Sequence, residues 1–280
     1  MNPFSGKLAL ISGGSSGIGL AVAKQLSQRG CNVWILARNR INLIKAKKII
    51  ASNKASSNQQ FGYICADVSN YEVVSSKLKY FINSVGAPDF LINSAGISRP
   101  GEFISQSHTI FQDMINTNYF GTVYPTKIIS RGMISRGSGH IINISSVAGF
   151  IGAYGYSAYG ASKFAVRGFS DVIRAELKLH HIRVSVVFPP DTDTPQFAYE
   201  NKYKPEITRV IDGNVGLLSP DEVARVILMG IEKNKYLIIP GLKSKLLFIL
   251  SNILGGFVYS ILDIIVSQAQ KSLINKKRQL

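Results

Sequence analysis

The chain has 280 residues, and its 46% hydrophobic content is enough for a sizeable core in one large α/β domain or two smaller ones. Its formal charge of +16 suggests anionic partners, but no zinc-finger, basic-zipper or alternating cation–aromatic pattern supports nucleic acid as one. Four scattered histidines and two cysteines predict no metal site, and the first strand begins too early for a signal peptide. We interpret Cys31 and Cys65 as buried thiols in a reducing compartment.

Short apolar runs alternate with helical patterns along most of the chain. Strands are predicted at 7–12, 32–36, 61–66, 90–93, 140–145, 183–188 and 236–239. Helices are predicted after the first strand to about 29, at 39–52, 71–84 and 107–135, around residue 160, and at 220–232. This alternation predicts a doubly wound parallel sheet of the Rossmann-like α/β class. We expect residues 1–240 to form a single catalytic domain.

Residues 189–218 interrupt the alternation. They begin with three prolines, Pro189, Pro190 and Pro195, and carry mixed charge, which predicts a long excursion after the sixth strand. Insertions at the carboxyl ends of parallel strands lie where substrates bind. We therefore expect residues 189–218 to form a substrate lid.

Tyr159 and Lys163 are four positions apart in a predicted helix, so they lie on one face about one turn from each other. A free phenol titrates near pH ~10, and a neighbouring cation favours the phenolate and lowers that pKa. The pair predicts a tyrosine that can give or take a proton near neutral pH, with a hydroxyl such as Ser146 holding the oxygen that receives it. The alternative for the two residues alone is a surface pair.

A glycine-rich loop separates the first predicted strand from the first helix. Glycines let the backbone approach a pyrophosphate closely, and the free N–H groups of the following helix point at the anion. The loop predicts a dinucleotide site. Its predicted cofactor-binding residues are Gly13, Ser15, Ser16, Gly17, Ile18 and Gly19.

The end of the second strand indicates which dinucleotide binds. A carboxylate there would bind the ribose 2′-hydroxyl of NAD, but this chain has Arg38 and Arg40 at that point. Because arginine binds phosphate through two parallel hydrogen bonds, we expect a preference for the 2′-phosphate of NADP(H). Solvated surface arginines are the alternative interpretation.

Further cofactor contacts are expected after the third and fourth strands, where an adenine and its ribose would run. The predicted residues are Asp67, Val68, Asn93, Ala95 and Gly96. Asn118 lies within a predicted helix although asparagine is a poor helix former. It therefore indicates either a function or a local irregularity of the helix.

Together these motifs resemble the short-chain dehydrogenase/reductase family over residues 7 to about 240. The matching positions, in the family's order and near its spacings, are Gly13 to Gly19, Asp67, Asn93 to Gly96, Asn118, Ser146, Tyr159 and Lys163. The resemblance implies that Pro189 and Thr192 also contact the cofactor.

The resemblance also implies catalytic roles. Ser146 would polarise the substrate carbonyl, Tyr159 would donate the proton, and Lys163 would lower the pKa of Tyr159 while binding the nicotinamide ribose. Asn118 would hold a water in the proton relay. Ser145 remains the alternative working hydroxyl, although Ser146 has the separation from Tyr159 that the family pattern favours.

A narrower resemblance is carried by the run from Phe188 to Pro195, which has Pro189-Pro190 where most of the family has Pro-Gly. This run, followed by Glu200-Asn201 and by Lys204-Pro205, resembles the 3-ketodihydrosphingosine reductases, as does Ala37-Arg38-Asn39. That resemblance implies NADPH-dependent reduction of the C3 ketone of a long-chain sphingoid base. One departure is Asn42, where a lysine is expected; the preference for NADP is then weaker unless Arg40 substitutes for that lysine.

The last forty residues predict a membrane-associating segment. Residues 246–266 would span about 31 Å as one helix, which is long enough to cross a hydrocarbon core. A stripe of polar and small residues predicts instead a helix whose broad face meets lipid while the stripe packs on protein. The stripe consists of Asn252, Gly256, Ser260, Asp263 and Ser267. Six cations and one anion in 241–280 favour anionic lipid, and an interface helix of a homo-oligomer is the alternative.

We therefore expect a membrane-associated ketoreductase whose catalytic domain faces the cytoplasm. The membrane would be the endoplasmic reticulum in a eukaryote or the cytoplasmic membrane in a bacterium. The alternative enzyme is a reductase of another lipophilic carbonyl, such as a steroid, a retinoid or a 3-ketoacyl lipid. The alternative outside enzymes is an idle scaffold that binds NADP or membranes.

Overall fold

A seven-stranded parallel sheet organises the chain in a computed structural model that describes residues 2–213 and 216–278. The strand order is β3-β2-β1-β4-β5-β6-β7, and every neighbouring pair is parallel. The strands are β1 (Leu8–Ser12), β2 (Asn32–Ala37), β3 (Phe61–Cys65), β4 (Phe90–Asn93), β5 (Gly139–Ile144), β6 (Ile182–Val187) and β7 (Leu237–Ile238). The predicted doubly wound, Rossmann-like fold is confirmed.

Eleven α-helices connect and follow these strands in the described part of the chain. They are α1 (Gly17–Gln28), α2 (Arg40–Ser52), α3 (Tyr71–Val85), α4 (His108–Met114), α5 (Gly121–Arg136), α6 (Ser157–Lys178), α7 (Pro195–Glu200), α8 (Glu206–Asp212), α9 (Pro220–Glu232), α10 (Leu242–Leu254) and α11 (Phe257–Arg278). The predicted lid, 189–218, contains α7 and α8; its residues 214 and 215 lie outside the described residues.

Each face of the sheet is covered by its own apolar core. Side chains alternate along the strands, so Ile11 and Ile35 pack with α1, α2 and α9, whereas Leu10 and Leu36 pack with α3, α5 and α6. Burial on both faces explains why the strands are continuous apolar runs. Because the cores fill both faces, the carboxyl edge of the sheet is left for a ligand.

The helix predicted over 107–135 is irregular. A π-helical turn, Ile115–Phe120, separates α4 from α5 and contains Asn118. The Asn118 side chain turns away from its own helix and bonds the backbone of Ile97, which follows β4. Local irregularity was one of the two interpretations of this asparagine, and it is confirmed.

The prediction of a single helix over 246–266 is wrong. The chain bends at Gly255, whose φ of 51° is a left-handed conformation that glycine adopts without strain, and α10 and α11 lie on either side. In the ranges 2–213 and 216–278, no helix combines the length and apolar character needed to span a membrane.

The predicted stripe does not pack on the body of the protein. All five of its residues are exposed. The contacts with the body come instead from apolar side chains on other faces of α10 and α11. Val258, Leu262 and Phe248 join a small core with Phe150 and Phe188. Apolar burial is worth more than polar contact at a water-accessible interface, so these larger side chains determine which face packs.

The two cysteines differ in burial. Cys31 is buried as predicted, but Cys65 is exposed, which corrects the interpretation of both as buried thiols. Cys65 is the last residue of β3, and β3 is an edge strand.

Candidate active site

A cavity of about 550 Å³ opens at the carboxyl edge of the sheet. Its wall contains most of the residues predicted from the sequence to bind cofactor or substrate. These residues are Gly13, Ser15, Ser16, Gly17, Ile18, Arg38, Val68, Ala95, Gly96, Ser145, Ser146, Tyr159, Lys163, Pro189 and Thr192. Five other predicted residues lie off the wall: Gly19, Arg40, Asp67, Asn93 and Asn118.

The loop between β1 and α1 has the geometry of an anion cradle. Gly13 has a φ of 67°, and a Cβ there would lie 2.7 Å from backbone atoms of Ser94 and Ala95. A Cβ on Gly19 would lie 2.4 Å from the carbonyl oxygen of Gly13, so Gly19 permits close packing of the loop. Ser16 precedes α1 without a side-chain cap, which leaves N–H groups for a bound anion. These residues fit the pyrophosphate of a dinucleotide.

Arg38 stands at the edge of this cradle, just after β2. Its side chain is 62% exposed, and its guanidinium lies 3.5 Å from a carboxylate oxygen of Asp67. Asp67 is held in turn by the backbone N–H and the hydroxyl of Ser69. Arg40 is exposed at the start of α2 and does not line the cavity. Arg38 is therefore the better placed of the two predicted arginines.

Two buried asparagines support the site from behind its wall. Asn93 donates to the side chain of Asn143 at 2.8 Å, which ties β4 to β5. Asn118 accepts from the Ile97 N–H at 2.8 Å and donates to the Ser162 hydroxyl of α6 at 2.8 Å. These contacts hold the strand ends and the catalytic helix in one arrangement.

Tyr159 and Lys163 lie on one face of α6, as predicted. The Lys163 Nζ is 5.6 Å from the centre of the Tyr159 ring, and it donates to the carbonyl oxygen of Ile144 at 3.0 Å. The hydroxyl of Ser145 is buried and donates to the Lys163 carbonyl, whereas the Ser146 side chain is near enough to the Tyr159 hydroxyl to act on its pKa. Of the two adjacent serines, Ser146 is thus the one placed to act with the tyrosine.

The pKa of Tyr159 moves in the direction opposite to the one predicted. Burial raises it, the Glu200 carboxylate adds to the rise, and hydrogen bonding from Ser146 and Gln196 opposes it. Burial also lowers the pKa of Lys163 to about 8, against the opposing charge of Glu200. In the free chain, then, the tyrosine is a protonated phenol at neutral pH, which is the form that donates a proton.

Sequence reasoning gave no chemical role to a polar group on α7. Glu200 is buried, and its carboxylate accepts from the Tyr156 hydroxyl at 3.1 Å and from the Gln196 amide at 3.0 Å. Gln196 and Glu200 both line the cavity opposite α6. The sequence signal for Glu200 is the Glu200-Asn201 pair in the narrower resemblance, but its position beside Tyr159 arises from tertiary packing.

Lys204 ties the two ends of this lid segment together. Its ammonium lies 2.7 Å from a carboxylate oxygen of Asp212 and 3.5 Å from one of Asp191, and 4.3 Å from the centre of the Phe197 ring. Lys204 itself is buried. Because the lysine contacts both ends of the segment, α7 and α8 form one wall of the cavity.

The chain is similar to known enzymes over most of its length. The short chain dehydrogenase family model matches residues 7–204. A 3-dehydrosphinganine reductase from Danio rerio is 39% identical over 225 residues, covering 80% of this chain and 68% of the relative. A 3-ketodihydrosphingosine reductase from Dictyostelium discoideum is 36% identical over 279 residues, covering 94% of this chain and 83% of the relative.

Solved structures with the same fold include levodione reductase, with a TM-score of 0.79 at 23% identity over 86% of this chain and 99% of that one. A short-chain dehydrogenase from Sphingobium yanoikuyae in complex with NADPH has a TM-score of 0.75 at 23% identity. The match covers 96% of this chain and 95% of that one. At these identities the likeness shows the fold alone. The family model and the more similar relatives establish that this chain belongs to the short-chain dehydrogenase family.

Proposed function

We propose that this protein reduces the C3 ketone of 3-ketodihydrosphingosine to dihydrosphingosine, with NADPH as the reductant, in sphingolipid biosynthesis. The observation that carries the proposal is the meeting of Tyr159, Ser146 and Lys163 on the wall of a cavity that begins at a dinucleotide cradle. The similarity to the 3-dehydrosphinganine reductase from Danio rerio and the 3-ketodihydrosphingosine reductase from Dictyostelium discoideum supports the choice of substrate.

The residues suggest a division of labour for the reaction. A bound reduced nicotinamide would supply the hydride to the ketone carbon. Tyr159 donates its proton to the developing alkoxide, and the Ser146 hydroxyl stabilises that negative charge as it forms. The Lys163 ammonium, buried beneath the tyrosine ring, favours the phenolate that remains after transfer.

Residues 189–218 serve in this proposal as the substrate lid. Their cavity-facing side chains include the apolar Pro190 and Phe197 and the acidic Glu200. A wall of this kind can cover a long-chain substrate near the ketone and exclude water from the reacting atoms.

We further propose that residues 241–280 attach the protein to a membrane, with the catalytic domain on the cytoplasmic side. Apolar side chains on α10 and α11 face outward, with Leu242 and Ile253 each 74% exposed and Phe257 78% exposed. Exposed lysines, such as Lys245 and Lys271, lie on the same two helices. An apolar face with basic residues around it favours an anionic lipid surface over water.

The position of α10 and α11 also fits a lipid substrate. Ser244 and Leu247 of α10 line the catalytic cavity, and α11 packs against α8 of the lid. A sphingoid chain that partitions into a bilayer would therefore reach the cavity beside the proposed membrane surface. This arrangement supports the attachment proposal from the geometry of the site.

Charge on the exposed apolar face should weaken membrane attachment. We expect the double variant Ile253→Asp, Phe257→Asp to lose at least about tenfold in binding to phosphatidylcholine–phosphatidylserine vesicles, because both side chains would leave lipid. Co-sedimentation measures the binding. The control Leu179→Asp, at a position 81% exposed after α6, should bind like the unmodified protein. Equal binding by the double variant and the control would contradict the proposed surface.

Preference for NADPH should depend on Arg38. We expect Arg38→Ala to raise the KM for NADPH by about 10- to 100-fold and to change the KM for NADH little, because only NADPH carries the 2′-phosphate. Steady-state kinetics with both cofactors measures the difference. Arg40→Ala is the matched control and should have the smaller effect, since Arg40 lies off the cavity wall. Equal effects of Arg38→Ala on the two cofactors would mean that this arginine does not meet the phosphate.

The proposed function is tested by incubating the purified protein with 3-ketodihydrosphingosine and following NADPH oxidation. A panel of a steroid ketone, a retinal and a 3-ketoacyl lipid is measured beside it. We expect the sphingoid ketone to have the highest kcat/KM. A higher value for another member of the panel would reassign the substrate, and no oxidation with any of them would leave only a cofactor-binding scaffold.

A further inference from the structure

Glu200 is a carboxylate on the cavity wall whose hydrogen-bond partners are neutral. The Tyr156 hydroxyl donates to one of its oxygens at 3.1 Å and the Gln196 amide donates to the other at 3.0 Å. Only 7% of the residue is exposed. Within 2–213 and 216–278, no lysine, arginine or histidine forms an ion pair with it.

A buried carboxylate without an ion-pair partner is energetically unfavourable. Burying a carboxylate without a cation costs free energy, and neutral hydrogen bonds offset only part of that cost. The neighbouring Lys204 is already engaged with Asp191 and Asp212, and the Asp191 charge adds to the negative field at Glu200. Burial and the Asp191 charge raise the pKa of Glu200, and the nearby Lys163 offsets only part of this effect, so a cationic ligand group beside Glu200 would favour its carboxylate form.

The carboxylate lies close to the reacting centre. The Gln196 amide donates to Glu200 at 3.0 Å and also acts on the Tyr159 hydroxyl, whose pKa it tends to lower, so this one side chain lies between the proton donor and the carboxylate. A ketone oxygen that accepts a proton from Tyr159 would lie about one side chain away from Glu200, so a group on a carbon next to the ketone could reach the carboxylate. In 3-ketodihydrosphingosine, the carbon next to the ketone carries the amino group, which is an ammonium at neutral pH.

We propose that Glu200 binds the ammonium group of the sphingoid ketone and thereby selects amino ketones over neutral ketones. This inference rests on the proposed function and adds to it a residue that determines specificity. Binding the ammonium would give the Glu200 carboxylate a cationic partner and would orient the ketone toward Tyr159.

A second consequence concerns the proton donor. The Glu200 carboxylate contributes to raising the pKa of Tyr159 in the free protein. A bound ammonium would cancel part of that field and bring the phenol closer to the pH at which it transfers its proton most readily. The correct substrate would then assist the acid that acts on it.

The test compares Glu200→Gln with the unmodified protein on three ketones, with NADPH oxidation as the readout. The ketones are 3-ketodihydrosphingosine, its N-acetyl derivative and the long-chain ketone without the amino group. Glutamine keeps the size and the hydrogen bonding of the side chain but removes its charge. The control Asp193→Asn removes a carboxylate from an exposed position in the same segment. NADPH binding verifies that each variant is folded.

We expect Glu200→Gln to lower kcat/KM for 3-ketodihydrosphingosine by about 100-fold, mainly through KM, with little change for the two neutral ketones. Asp193→Asn should leave all three unchanged. Equal losses on charged and neutral ketones would overturn the inference, because they would show that Glu200 only supports the lid. If Glu200→Gln does not fold, the three ketones are compared on the unmodified protein alone. Comparable kcat/KM values for all three overturn the inference. A preference of about 100-fold for the amino ketone supports it. No activity on any sphingoid ketone would instead reject the proposed function.

Discussion

Tyr159→Phe should lower turnover of the ketone by at least about 1,000-fold while NADPH affinity stays nearly unchanged. Tyr159 lines the cavity beside Ser146, and phenylalanine keeps the ring but removes the only proton that the ring can donate. Steady-state NADPH oxidation measures the loss of turnover. Titration of NADPH by its fluorescence measures the affinity.

Tyr154→Phe is the matched control for this variant. Tyr154 lies just before the start of α6, donates to Glu102 at 3.2 Å and is not part of the cavity wall, so the same chemical change should leave turnover nearly intact. Residual activity of Tyr159→Phe above a few per cent of the unmodified protein, by contrast, would require another proton donor. The catalytic assignment would then be wrong.

Lys163→Met should lower kcat by about 100- to 1,000-fold, and it should also weaken NADPH binding. Methionine fills the aliphatic length of the side chain but removes the ammonium that lies 5.6 Å from the Tyr159 ring and bonds the Ile144 carbonyl. Turnover and cofactor titration are measured as for the tyrosine variant. A variant that keeps full turnover would remove the ammonium from the mechanism.

The same lysine predicts a pH dependence. Burial lowers the pKa of Lys163 from 10.5 to about 8, so the ammonium of the free protein is lost at a lower pH than an ordinary lysine would lose its proton. Because kcat/KM for NADPH reports the protein before the cofactor binds, kcat/KM for NADPH should fall as pH rises through about 8. A profile that stays flat to pH ~10 would show either that the charge is not needed or that the lysine titrates normally.

Local patterns predicted the parts of the site that depend on short-range geometry. Tyr159 and Lys163 lie on one face because residues four apart in a helix always do, and the glycine loop lies between β1 and α1 because the strand and helix patterns are local. The resemblance to a family added Ser146 at its spacing. The structure then distinguished it from Ser145, whose hydroxyl bonds the Lys163 carbonyl.

Features that depend on tertiary packing were missed. The direction of the Tyr159 pKa is determined by burial and by Glu200, and Glu200 reaches the site only because the lid folds back over the sheet. The stripe of small residues in the tail was assigned to packing, yet larger apolar residues such as Val258 make the contacts. Two consecutive glycines, Gly255 and Gly256, are the sequence signal for the bend, but the hydrophobic run around them favoured the prediction of a continuous helix.

The central claim is that hydride from NADPH and a proton from Tyr159 reduce one ketone carbon in this cavity. The most direct measurement uses NADPH that carries deuterium at the transferred position, with 3-ketodihydrosphingosine as substrate and mass spectrometry of the product. The account predicts dihydrosphingosine with one deuterium on C3, formed by the unmodified protein and absent with Tyr159→Phe. Unlabelled product, or no product from the unmodified protein, would contradict it.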